Sequence, residues 1–423
     1  MMHIGLYCPA ETGHLNTMLP IGEALKQRRH QVTFIGVEDA QDKVEAAGLN
    51  FCAVGVEDFP KGSAEKMFAE LGELEGIAAL LYTVNFFKKL TTIVLKDAID
   101  VCNKLALDGF VIDQSTVEGS AIADYLQLPY VTVCSALPFN QEAGVPPVFS
   151  TWEYRNTWWA KLRNQSIHLI GSLIGKSVQK PARAFRKKHN LPNPENFDSP
   201  LAILCQEPAA LEFPRRELAE HFHFTGPYHT TTSRKKIDFP WDKLTGQPLI
   251  YASMGTLQNR LDNVFQMIAI ACKDLDVQLI ISLGGALNPE DLPALEGNPL
   301  VVRYAPQIEL LQKATLTITH AGMNTTLESL TYGVPLVAIP VTNDQPGIAA
   351  RIKWSGAGEF INLNQLSSQK LQTTIQQVLS TPSYRENAQK LQTQIQSAGG
   401  TNKAVKIIEQ ALTTKQPVIG NSR

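Results

Sequence analysis

The sequence predicts an α/β fold made of two doubly wound domains that face each other across a cleft. Three observations carry that expectation. Apolar runs of strand length alternate with helical stretches in two separate series. A segment rich in threonine, proline and charge divides the two series. Small and polar residues cluster where strands end and helices begin.

The first series opens with a strand over residues 3–8, a helix over 18–27 and a strand over 31–35. Further strands fall at 110–112 and 130–133, with a helix near 121–125 between them. This βαβ rhythm makes a parallel sheet flanked by helices. The second series follows Pro248, with strands at 249–253, 278–281, 300–302, 316–319 and 336–339 and a helix at 262–272. Between them, 226–247 contains Thr230-Thr231-Thr232-Ser233-Arg234-Lys235-Lys236, a linker composition. The expected division is therefore 1–229, a linker at 230–247, and 248–400. Ligands of open α/β sheets sit at the carboxyl ends of the strands, so sites from both halves can converge between them.

Composition narrows the classes. A chain of 423 residues has room for two or three domains, each with its own core. A net charge of −2 gives no general attraction to nucleic acid. The six cysteines are scattered without a Cys-x-x-Cys pair, which points to buried thiols in a reducing compartment rather than a zinc ribbon or disulfide framework. No secretory pattern is visible, and the apolar stretch at 80–95 is broken by Lys88 and Lys89, short of the roughly 18 apolar residues a spanning helix needs. A cytoplasmic protein is expected, with peripheral membrane contact left open.

The block from Tyr304 to Gln345 is the most specific feature. It reads Tyr304-Ala305-Pro306-Gln307, then His320-Ala321-Gly322-Met323-Asn324-Thr325-Thr326 with Glu328, then Gly333-Val334-Pro335 and Asp344-Gln345. A strand at 316–319 is expected to turn through His320-Ala321-Gly322 into a short helix over 326–332. The unpaired N–H groups and positive dipole end of such a helix suit a diphosphate without a metal. Gly322 lets the backbone approach closely. Each residue also has a plainer reading. Thr325-Thr326-Leu327-Glu328 fits a capping box, His320 fits a satisfied strand-end histidine, and Asp344-Gln345-Pro346 fits a polar loop.

As an ordered set the block resembles the nucleotide-sugar signature of the family 1 glycosyltransferases, which use UDP-sugars. Asp344-Gln345-Pro346-Gly347-Ile348-Ala349-Ala350-Arg351 is most similar to bacterial macrolide- and zeaxanthin-type glucosyltransferases. The resemblance spans nearly the whole chain. It implies the GT-B architecture, with a last helix near 402–412 in a tail (401–423) that crosses back onto the first domain. It also implies roles by position. Tyr304 stacks on the base, with Ala305 and Gln307 beside it. His320, Asn324, Thr325 and Thr256 hold phosphate oxygens, and Gly13 and Gly322 belong to the same donor site. Glu328 takes ribose hydroxyls, and Asp344 and Gln345 take sugar hydroxyls. Two positions depart from the family: Tyr304 stands where Trp is usual, and Met323 where plant members carry Trp. Tyr still offers an aromatic face, but the choice between uracil and thymine is weakened.

A catalytic pair is implied in the same way. The first strand is followed by Cys8-Pro9-Ala10-Glu11-Thr12-Gly13-His14, which places His14 on a loop at the cleft. Its pKa near neutrality suits removal of a hydroxyl proton. Asp113, ending the strand Gly109-Phe110-Val111-Ile112-Asp113, matches the family's carboxylate partner, which would fix the imidazole tautomer. The plain alternatives are a capping loop histidine, a strand-end aspartate and, for Thr256, a capping threonine. No metal and no cofactor is expected, because no Asp-x-Asp motif lies at the site.

Residues 151–190 hold nine Lys or Arg against one acid, Glu153, with Trp152, Tyr154, Trp158 and Trp159 among them. Ile167, Ile170, Ile174 and Val178 fall at helical spacing. Such a segment either walls an acceptor cleft with solvated lysines outside or lies on an anionic membrane surface. The expected activity is inverting transfer of a sugar, glucose by resemblance, to a hydroxyl of a lipophilic small molecule such as a carotenoid or polyphenol. A UDP-sugar epimerase and a catalytically silent nucleotide-sugar-binding protein are the alternatives. An epimerase needs no acceptor and no Gly13-His14 base.

Overall fold

Strands apolar on both faces and connections too long for hairpins leave a parallel sheet covered by helices as the packing solution. The computed structural model describes residues 1–420 except 73, 75, 230–236, 256–261 and 286. The first series forms β1 (His3–Tyr7), β2 (Gln31–Gly36), β3 (Asn50–Ala53), β4 (Gly109–Asp113), β5 (Tyr130–Cys134), β6 (Ile203–Cys205) and β7 (Phe222–Phe224). The second forms β8 (Leu249–Ser253), β9 (Gln278–Ser282), β10 (Leu300–Val302), β11 (Ala314–Thr319), β12 (Leu336–Ala338) and β13 (Gly358–Phe360). Among the described residues the sheet orders are β3-β2-β1-β4-β5-β6-β7 and β10-β9-β8-β11-β12-β13. Each neighbouring pair is parallel. Every residue of β4, β5 and β8 is buried, as helices on both faces require.

Both orders reverse at the centre, between β1 and β4 and between β8 and β11. At such a switch point the loops leave in opposite directions and open a crevice beyond the strand ends. The expected catalytic pair flanks the first reversal, and the expected phosphate site flanks the second.

Several elements differ from the sequence reading. The first helix covers Thr12–Gln27 rather than 18–27, with Pro20 inside it. Proline is favoured in the first turn and disfavoured further in, so Pro20 pulls a sequence-based start too late. His14 accordingly sits in a helical first turn, not on a loop. Likewise the helix after β11 covers Met323–Thr331 instead of 326–332. Its cap position is Gly322, with no side-chain cap bond. The capping box over Thr325 to Glu328 therefore does not form. Part of the expected linker, 230–236, lies outside the described residues.

The basic segment is one helix, Trp158–Lys188, packed against the helix Gly76–Leu105. Ile167, Ile174 and Val178 are half-buried, but Ile170 is 54% exposed, so the expected four-residue apolar face is incomplete. No helix among the described residues is long and apolar enough to cross a membrane. The helix Gly400–Thr414 follows a left-handed Gly399 and lies on the first sheet. There Val405, Ile408 and Leu412 share a core with Leu15, Leu25 and Val111. Arg28 and His30 both bind Glu409 on that helix.

The two halves meet along the helix Gln345–Trp354. The Gly347 N–H donates to the Val148 carbonyl at 2.9 Å. A Cβ at Gly347 would overlap that carbonyl, so glycine is needed for the approach. Further along, the fully buried Arg351 donates through Nε to Glu212 at 2.8 Å and lies 3.5 Å from Glu207. Its guanidinium also covers the Phe213 ring, 4.4 Å from the centroid. Removing one member of a buried ion pair strands the other charge. Arg351→Met should therefore destabilise the protein by about 3–5 kcal/mol, read as a lowered urea or thermal midpoint, while Glu212→Asp should cost less.

Candidate active site

The Gly13-His14 turn opens the helix after β1, and Asp113 ends the adjacent β4, so the parallel pairing of these strands brings the two side chains together. His14 Nδ1 stands 2.9 Å from Asp113 Oδ2. A carboxylate accepts there, so Nδ1 carries the hydrogen and the neutral ring presents its lone pair at Nε2. The His14 side chain keeps 24% exposure, against 1% for Asp113. Asp113 also accepts from the Ser115 N–H at 2.9 Å, from the Ser115 hydroxyl at 2.6 Å and from the Ser135 hydroxyl.

Opposing effects set the charge of this pair. Burial alone would raise the Asp113 carboxyl, but His14, Ser115 and Ser135 outweigh it and hold the group below its usual value. Burial is the largest single effect on His14 and would lower it, yet the Asp113 charge and hydrogen bond, with Glu11 and Asp344, together outweigh burial and lift it to about 9. His14 is thus a strong base that must shed a proton to act.

Across the cleft, the helix Met323–Thr331 aims its first turn at the same place. Asn324 Nδ2 donates to the Gly13 carbonyl at 2.9 Å. Its Oδ1 lies 3.5 Å from the Thr17 hydroxyl, which also bonds Gly13. Asn324 and Thr325 lie within the first helical turn, where N–H groups lack partners in the helix. His320 ends the turn after β11 and lies against Gly255 and Gly322. A Cβ on Gly255, which has φ +83°, would stand 2.7 Å from His320 Nε2. Burial pulls His320 down to about 4, opposed by a backbone contact with Ser253. It is therefore a neutral imidazole near pH 7, with its Nδ1 buried and without a hydrogen-bond partner. Thr256 lies outside the described residues.

The base-side residues form a relay. Tyr251 donates to Gln307 Oε1 at 2.9 Å, and Gln307 Nε2 donates to Glu328 at 2.6 Å and lies 3.4 Å from the Thr325 hydroxyl. Glu328 is thus engaged by Gln307, and its other oxygen lies 3.9 Å from His229. Tyr304 is 49% exposed, while Ala305 beside it is buried. The Tyr304 ring lies where a Cβ on Gly285, φ +92°, would stand. Gly285 is therefore the floor of this platform. The sequence signal for it, Gly284-Gly285 after a strand, is too common a turn to single out.

Asp344 caps the helix Gln345–Trp354 and accepts from the Leu137 N–H of the first half at 3.1 Å. Burial raises its carboxyl, against that bond. Gln345 Oε1 accepts from the Val341 and Thr342 N–H groups at 2.9 and 3.1 Å, which leaves only its amide nitrogen to address a ligand. Among the described residues no cluster of His, Cys, Asp and Glu has the arrangement of a metal site.

Beside the His14–Asp113 pair lies a narrow slot of about 50 Å³. Phe59, Met67, Phe86, Phe87 and Leu90 give it apolar walls, and Ala10, Glu11 and Ser115 join it to the pair. Glu118 also lines it, accepting from Tyr7 at 2.6 Å and Thr91 at 3.1 Å. None of these wall residues stands out in the sequence, because they come from a loop at Phe59 and from two helices, Ser63–Gly72 and Gly76–Leu105.

Comparison with known proteins agrees with this geometry. The family model for UDP-glucoronosyl and UDP-glucosyl transferases matches residues 6–398. A zeaxanthin glucosyltransferase from Pantoea ananas is 30% identical over 427 residues, covering 100% of this chain and 99% of its own length. An NDP-glycosyltransferase, YjiC, from Bacillus subtilis is 25% identical, covering 96% of each. Among solved structures, the calicheamicin glycosyltransferase CalG4 superposes with a TM-score of 0.74 at 20% identity, covering 99% of this chain and 100% of that one. The glycosyltransferase VinC, solved with DTDP, gives 0.70 at 17% identity, covering 98% and 100%. A match over most of the chain, on two sheets whose switch points face each other, makes this protein a member of the UDP-glucoronosyl and UDP-glucosyl transferase family.

Proposed function

We propose that the enzyme transfers glucose from UDP-glucose, with inversion, to a hydroxyl of a lipophilic small molecule such as a carotenoid or polyphenol. The observation that carries this reading is the His14–Asp113 pair at one switch point, lying against the Asn324 helix start of the other. In this scheme residues 1–229 hold the acceptor and 248–400 the donor. The similarity to zeaxanthin glucosyltransferases supports a greasy acceptor, as do the apolar side chains that line the narrow slot beside His14.

The step balances without a further reagent. His14 Nε2 takes the acceptor proton, the oxygen attacks the anomeric carbon, and the bond from that carbon to the UDP oxygen breaks on the opposite face. Asp113 stabilises the imidazolium. The leaving UDP gains negative charge, which the first-turn N–H groups and neutral His320 stabilise. Tyr304 stacks on the base, the Gln307–Glu328 relay addresses the ribose, and Asp344 and Gln345 address the sugar. Mass spectrometry of products from UDP- and TDP-sugars against mixed hydroxylated acceptors tests the assignment. Isomerisation of UDP-glucose with no acceptor present would refute it.

Four outcomes follow. His14→Ala should lower kcat about 10²–10⁴-fold, with circular dichroism unchanged. Because His14 acts as the free base and sits at about 9, kcat/KM should rise with pH toward that value. Asp113→Asn should move the rise down toward 6.5, while lowering the maximal rate. Tyr304→Ala should weaken UDP binding by titration calorimetry by roughly tenfold, the low end of aromatic stacking on a base, with little change in kcat.

A further inference from the structure

The outward face of the helix Trp158–Lys188 is apolar where a protein surface is normally polar. With about 3.6 residues per turn, Trp158, Leu162, Leu169 and Leu173 fall on one side, and they are 78%, 57%, 65% and 61% exposed. The opposite side already carries the buried Ala160, Asn164, Ala182 and Arg186, so these leucines are not needed for the core. Ile170 and Phe149, both 54% exposed, widen the patch. Lys176 and Lys180 continue the same outward side and are exposed. Beyond them the helix borders a shallow open hollow lined by Lys180, Arg183, Lys187 and Asn190.

Contiguous exposed apolar surface of this kind marks an interaction site. Its surroundings decide the occupant. The exposed Lys176, Lys180, Lys187 and Lys188 of this helix would repel a second copy laid on the same face. The same charge attracts an anionic lipid surface, and leucines next to lysines on one helix suit the boundary between headgroups and acyl chains. We propose that this face docks the enzyme on an anionic bilayer. Trp158, Leu162, Leu169 and Leu173 enter the acyl boundary, and the lysines and the basic hollow meet phosphate headgroups. The inward side of the helix contributes Val178 to the apolar slot, so docking brings the slot alongside the membrane. The docking stands apart from the choice of sugar or acceptor.

The test is sedimentation of the full chain with vesicles of equal parts phosphatidylglycerol and phosphatidylcholine, and with phosphatidylcholine alone. The expected result is retention on the mixed vesicles, weakened by salt, with little retention on phosphatidylcholine. Leu169→Ser with Leu173→Ser, and separately Lys176→Gln with Lys180→Gln, should each lower partitioning by roughly tenfold or more. Unfolding midpoints and glucose transfer to a water-soluble phenol should stay unchanged. Wild-type protein left in the supernatant would overturn the proposal, as would sedimentation of either variant equal to that of the wild type. A vesicle-free dimer that the leucine substitutions dissociate would assign the face to a second copy instead.

Discussion

One hydrogen bond across the cleft, from the Asn324 amide to the Gly13 carbonyl, ties the site together. Gly13 immediately precedes His14, and Asn324 opens the helix whose N–H groups face the same gap. The bond therefore fixes the distance between the His14–Asp113 pair on one sheet and the helix start at Asn324 on the other. Gly347 on Val148, Leu137 on Asp344 and Arg351 on Glu212 hold the same closure along the helix Gln345–Trp354. Proximity of this kind accounts for much of what an enzyme gains over solution, because the entropy of alignment is spent on folding and binding.

Burial acts on both imidazoles in the same direction, yet they end in opposite charge states. His14 has the buried Asp113 carboxylate on Nδ1 and is lifted to about 9, whereas His320 has no carboxylate among the causes of its shift and falls to about 4. The difference assigns them different work. A lifted imidazole is a strong proton acceptor once deprotonated. A neutral one brings no charge to the turn before the helix Met323–Thr331. Ser115 and Ser135 make this possible by keeping Asp113 ionised in an otherwise apolar setting.

The helix Trp158–Lys188 joins two surfaces of opposite character. Its inner side contributes Val178 to the slot beside the His14–Asp113 pair, and its outer side carries leucines and lysines in sequence. An insertion that walls a cleft and an insertion that meets a lipid surface are therefore compatible descriptions of one element.

Much of this was legible in the chain. The alternation of strands and helices gave the two parallel sheets. Regular runs such as β8 and the helix Asp262–Cys272 fell where periodicity put them. The short strands β6, β7 and β13, three residues each, carry too little pattern to be read. Pro20 and Thr325–Glu328 misled in a local sense, because burial of the first helix and the capping glycine Gly322 overrode the usual preferences of proline and of the capping box. The order of residues by itself determined which groups stand at strand ends: His14, Asp113, His320 and Asn324. Only the tertiary structure decided that they meet. Gly13 and Asn324 are 311 residues apart, and nothing local encodes their contact. The strand reversals aim the ends of both sheets at one crevice, and the packing of Arg351 and Gly347 between the halves brings the two crevices together.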